Sequence, residues 1–157
     1  MLGTKFYKSY YSQEDYFICA EWCNQNNATI EDKGEYYECV AIPAPSLDEL
    51  KQAKINELKS TRDTLETEPV EYNGNRYDYD DKARDRINAA IIALDITGQS
   101  IEWTTADNTN VAVTAQDLRN IIANVAVRSN ILHVKYRELK EQVLACATAE
   151  EVAEIVW

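Results

Sequence analysis

Four cysteines, one histidine and a short acidic run are the side chains of this 157-residue sequence with the widest chemical reach. Cys19 and Cys23 lie four apart, hence on one face of a helix, and Cys39 falls on a strand able to pack against that face. Together with His133 they would make a zinc set, but the spacings of Cys19, Cys23, Cys39 and Cys146 match no pairwise metal knuckle. Thiols without a framework pattern read as small buried hydrophobes in a reducing compartment. His133 sits deep in a predicted helix between Leu132 and Val134, read as having no nucleophile beside it, which makes it a packing or surface histidine. The run Asp78-Tyr79-Asp80-Asp81 offers oxygen ligands for a hard cation, yet Lys82, Ala83 and Arg84 follow where a calcium loop places its glycine and bidentate glutamate. Helix capping explains the same residues. With no Gly-rich phosphate loop, no G-x-S-x-G and no H-E-x-x-H, the sequence predicts no catalytic residues, no metal, no cofactor and no enzyme.

Tyrosine is the remaining oddity, with 10 of the 15 aromatic residues. Tyr7, Tyr10, Tyr11 and Tyr16 crowd the N-terminal stretch, Tyr36 and Tyr37 share a predicted strand, and Tyr72, Tyr77 and Tyr79 surround an Asn-Gly turn. An apolar ring carrying a hydroxyl suits protein interfaces. Tyr36, Tyr37, Tyr72, Tyr77, Tyr79 and Trp157 are therefore the expected protein-contact residues, against the alternative that half-buried tyrosines finish a small core.

The elements that must position these residues follow from local signals. Ser12 with Asp15 opens a helix bearing Tyr16, Cys19, Ala20 and Cys23, which ends at the polar run 24–27. Residues 28–31 and 35–42 read as strands turned by Asp32-Lys33-Gly34. Pro43-Ala44-Pro45 then breaks the chain. Ser46 with Glu49 starts a helix to about residue 67 with a thin apolar stripe, too interrupted by Lys54 and Arg62 for a coiled coil. Asn73-Gly74 predicts a hairpin, Asp80 or Asp81 a helix cap, and Gly98 its end. Residues 101–104 and 111–113 read as a second hairpin. Thr114 with Asp117 opens the longest helix, through about residue 147, and Thr148 with Glu151 a short last one that docks Trp157 on a surface. The expected fold is α+β and mainly helical: an N-terminal helix-plus-hairpin module (1–45), a connecting helix (46–68) and a C-terminal α+β domain (69–157) with two short hairpins and a long helix.

Composition bounds the partners. Hydrophobic residues at 45% and charged residues at 27% fit a packed globular chain. The net charge of −11 is spread evenly, with 3 basic against 7 acidic residues through position 45, 4 against 6 in 46–68 and 9 against 14 thereafter. No stretch supplies the basic footprint of a nucleic-acid binder, and the mixed signs of KARDR and YRELKE do not suit an acidic DNA mimic. No apolar run approaches the roughly 18–20 residues that cross a bilayer, and the start MLGTKFYKSYYSQ lacks a signal-peptide core, so neither membrane nor export is expected.

The segments Glu14-Asp15-Tyr16, Ala20-Glu21-Trp22-Cys23-Asn24, Ile30-Glu31-Asp32, Glu35-Tyr36-Tyr37-Glu38 and Ala41-Ile42-Pro43 resemble the N-terminal module of prophage tail proteins from gut Firmicutes. The marks Tyr72-x-Gly74-x-x-Tyr77-Asp78, Arg86-Ile87, Trp103-Thr104-x-x-Asp107-Asn108 and Thr114-x-x-Asp117-Leu118 are similar to an uncharacterised domain family of tailed-phage proteins, often encoded near tail-fibre genes. The resemblance implies a non-enzymatic tail component or tail-fibre-associated adaptor. Its partners would be other tail or fibre proteins or a second copy of itself, and its place the host cytoplasm during assembly or the virion tail. A tail-fibre assembly chaperone is the first alternative; a small phage-encoded inhibitor or ligand sponge against host defence is the second. The lack of a collagen-like or β-repeat pattern excludes a fibre shaft.

Overall fold

The computed structural model describes residues 1–157 and is a mainly helical α+β protein. It divides into two compact units, Met1–Ser46 and Leu47–Trp157. No helix is long and apolar enough to cross a membrane.

The first unit holds β1 (Lys5–Tyr7), α1 (Gln13–Gln25), β2 (Ala28–Asp32) and β3 (Tyr36–Ala41). Ser12 caps α1, its side chain accepting from the Asp15 N–H, and Asn27 with φ 48° turns the chain from the helix into β2. The β2–β3 turn closes on Asp32, whose Oδ1 accepts from the Gly34 N–H at 2.8 Å, while Gly34 takes φ 87°, a conformation a side chain would strain. Order in the antiparallel sheet is β1-β3-β2. The strand β1 is not among the expected elements, since three residues are too few to display alternation; it forms because β3 has an edge to pair, with Phe6 opposite Tyr37. Phe6, Cys19, Cys23, Ala28 and Cys39 make the buried core.

The second unit contains α2 (Leu47–Glu66), β4 (Val70–Tyr72), β5 (Asn75–Tyr77), α3 (Asp81–Thr97), β6 (Ile101–Thr104), β7 (Asn110–Val113), α4 (Ala115–Ala145) and α5 (Ala149–Glu154). At 1.5 Å per residue the 31 residues of α4 span about 46 Å, and two separate clusters cover it. Ile87 and Leu94 of α3, with Val70, Tyr77 and Val113 from the hairpins, pack on Leu118, Ile121 and Val125. Ile55 and Leu58 of α2 pack on Val143 near the other end, flanked by Leu139, Ile155 and Trp157. Of the segment 46–68, expected as a connecting helix, all but Ser46 belongs to the second unit: Ile55 and Leu58, one turn apart, give its thin stripe enough depth to bury against α4.

The start and stop signals operate as side-chain and backbone hydrogen bonds. Asp80 caps α3 by accepting from the Ala83 N–H at 2.7 Å, and Gly98 ends it in the left-handed region. Thr114 with Asp117 and Thr148 with Glu151 form complete capping boxes at α4 and α5. Where α2 ends, the Arg128 guanidinium donates to the carbonyls of Glu66 (2.8 Å), Glu68 (2.9 Å) and Pro69 (3.3 Å). A cation there satisfies orphan carbonyls and complements the negative end of the helix dipole.

Candidate contact surface and thiol cluster

Strand alternation sorts the N-terminal aromatics into two sets. Phe6, Tyr37 and Cys39 share the inward face of the sheet, where Tyr37 packs edge-on against Tyr11 (5.9 Å) and Tyr16 (5.5 Å). Tyr7 and Tyr36 share the outward face, with rings 5.4 Å apart; Tyr10 stacks on Tyr7 at 5.4 Å and 12°, and Lys5 lies 4.5 Å over the Tyr36 ring. Beside them opens a cleft of about 420 Å³ lined by Phe6, Tyr7, Tyr10, Tyr11, Ile18 and Cys19 among others. Tyr10 is 75% exposed, Ile18 49% and Tyr7 39%, so the cleft has an aromatic rim that solvent reaches, with Lys5, Ser12 and Asp15 also in its lining. The expected contact residue Tyr36 lies next to this rim through its contact with Tyr7.

The other expected contact residues are placed differently. Tyr77 is 3% exposed and forms part of the core cluster on α4. Opposite Val70 in the β4–β5 register, it faces inward with that residue, and burial raises its phenol above the ordinary range. Tyr72 is half-buried and its hydroxyl is committed, donating to Asp117 Oδ1 at 3.1 Å and accepting from Asn120 Nδ2 at 2.9 Å. Tyr79 packs against the same core. Trp157 covers the α2–α4 cluster, with Lys135 5.0 Å over its ring. Tyr77 is thus an interior residue, while Tyr72, Tyr79 and Trp157, each half-buried, pack one side of their rings on the second unit's own core. Tyr37 is likewise held within the first unit's own aromatic cluster. Tyr7 and Tyr10, outside the expected contact set, are exposed at 39% and 75%.

The polar constellations are structural. Asp80 is the α3 cap and Asp81 pairs with Arg84 at 3.2 Å, so these two carboxylates of the acidic run serve the start of the helix. His133, expected to lack a nucleophile beside it, has Ser129 one turn earlier on α4; Ser129 donates to Glu66 Oε1 at 2.6 Å, and His133 Nε2 lies 3.0 Å from the same oxygen. The carboxylate stands between serine and histidine. A hydrolytic triad places the imidazole there, able to take the serine proton; here the carboxylate holds both side chains and ties α2 to α4.

Cys19, Cys23 and Cys39 converge in the core of the first unit. They are 1%, 4% and 0% exposed, with Cys23 Sγ 3.3 Å from Cys39 Sγ and all three sulfurs within 4.8 Å of one another. Burial pushes the Cys19 thiol up to about 12 and raises Cys23 as well, with Cys39 as the next cause for both, so these two are protonated thiols at neutral pH. Their convergence was signalled by the four-residue Cys19–Cys23 spacing and by the strand position of Cys39. Cys146 lies apart, its Sγ donating to the Gln142 carbonyl at 3.3 Å.

A helical body with two small hairpins seated on one long helix defines the class of the second unit, and a family profile covers it: Domain of unknown function (DUF4376) matches residues 49–156. The chain belongs to the DUF4376 family. No curated protein matches it, and no solved structure does.

Proposed function

We propose that this protein is a non-enzymatic component of a phage or prophage tail, an adaptor that docks on a neighbouring tail or fibre protein through its first unit. The observation that carries the reading is the aromatic-rimmed cleft on Tyr7, Tyr10 and Tyr11, a solvent-reached surface on a small unit outside the region matched by the family. Rigid aromatic rings with few torsions to freeze are the usual anchors of protein contacts. The resemblance of both halves to tailed-phage proteins supplies the context, and the serine–carboxylate–histidine order supports a role without catalysis. In this reading the second unit is the folded body and the first is its contact module.

Quantitative mass spectrometry of purified particles from a producing strain tests the assignment. The adaptor role predicts the protein in the particle at a fixed copy number relative to the tail proteins. Absence from particles, together with co-purification on a fibre protein, would replace it with the assembly-chaperone role. Absence from both, with recovery of phage growth against a host defence system, would replace it with the inhibitor role.

A further inference from the structure

Three of the five residues in the buried core of the first unit are cysteines, an unusual way to build a core this small. Units of this size bury little surface and commonly depend on a staple. The geometry is preset for one. Cys19 and Cys23 stand one turn apart on α1, while Cys39 occupies the central strand of the sheet. Its backbone donates to the Thr4 carbonyl at 3.0 Å and accepts from the Gly3 N–H at 2.8 Å on one side and pairs with Ile30 on the other. A single centre bonded at about 2.3 Å to three sulfurs separates them by about 3.3–4.0 Å, so side-chain rotations of this trio, now within 4.8 Å of one another, bring it to that spacing.

The surroundings choose the ion. No histidine, carboxylate or fourth cysteine adds a ligand atom to the trio, and its partly buried apolar neighbours are Tyr11, Tyr16, Trp22, Ile30 and Tyr37. Tetrahedral zinc and four-cysteine iron–sulfur clusters lack their fourth protein donor. Three thiolates carry three negative charges, and uncompensated charge is costly in an apolar interior. A monovalent or divalent ion leaves the complex anionic; a trivalent one leaves it neutral.

We propose that Cys19, Cys23 and Cys39 form a three-coordinate site for a trivalent thiophilic metalloid, As(III). Arsenous acid enters, three As–S bonds replace three As–OH bonds, and the three thiol protons leave with the hydroxyls as three waters; no oxidation state changes. The cleft that reaches Cys19 is the way in. The bound centre fastens α1 to β3.

The test uses the reduced full-length protein titrated with sodium arsenite, and with Cu(I) and Zn(II) in parallel. The expected results are one arsenic per chain with the loss of three hydrogens by intact mass, a near-ultraviolet thiolate-to-arsenic band, and an unchanged adduct in Cys146→Ser. Losing a donor outright exceeds the roughly 10–100-fold cost of losing a residue that merely supports a ligand, so Cys39→Ser weakens binding by more than about tenfold. Because that variant alters a buried strand, cysteine labelling of the wild type under mild denaturant gives a second reading, in which arsenite protects Cys19, Cys23 and Cys39 and leaves Cys146 reactive. The proposal is overturned if no adduct forms, if Cys146 is among the protected thiols, or if Cu(I) or Zn(II) occupies the three cysteines in preference to As(III).

Discussion

Arg128 satisfies three backbone carbonyls where α2 gives way to β4, and a single ammonium cannot reach them with the same fork. Arg128→Ala should cost the second unit about 2 kcal/mol in urea unfolding, and Arg128→Lys should recover part of it. Asp117 is the other residue whose chemistry the fold exploits. The side chain and backbone N–H of Thr114 hold its carboxyl below the ordinary range, aided by the Tyr72 hydroxyl. A depressed folded-state value means stability that is complete above the ordinary carboxylate range and is lost as the pH falls through the folded value. The thermal midpoint should therefore decline on acidification below about pH 4. Thr114→Ala should shrink that decline while costing about 1 kcal/mol at neutral pH. The tyrosines divide by the same residue-level logic. Tyr77→Ala should destabilise the second unit by about 3 kcal/mol, whereas Tyr10→Ala, at a side chain 75% exposed, should leave the melting curve where it was.

At the scale of elements, caps and turns were legible because each is written within four residues. Ser12, Asp80, Gly98, Thr114 and Thr148 each act where the sequence places them. Features made by residues distant in sequence were not. The strand β1 exists only as the partner of β3, thirty residues later. Glu66, Ser129 and His133 meet only when α2 lies along α4, and no local pattern links residues 63 apart. The tyrosines show the same limit: composition reports how many amphipathic rings there are, while the strand register decides which face the core. An element-level consequence is that Leu58→Ala, which empties a 1% exposed position in the cluster with Ile55 and Val143, should cost about 2–5 kcal/mol and loosen the last turns of α4 in hydrogen exchange.

For the whole molecule, the Pro43-Ala44-Pro45 break coincides with the division into two compact units, and residues 41–46 are exposed without regular structure beyond Ala41. Limited proteolysis should cut there first and leave a resistant fragment of residues 47–157 that melts like the intact second unit. The even acidic charge leaves recognition to shape and aromatic surface, and the proposed docking cleft is where both are concentrated. Docking through this cleft is decided by co-purification from phage-producing cells, comparing the wild-type protein with a Tyr7→Ser/Tyr10→Ser double variant of unchanged melting behaviour. A tail or fibre protein should be enriched with the wild type and lost with the double variant; the same tail protein retained by both would rule out docking through the cleft.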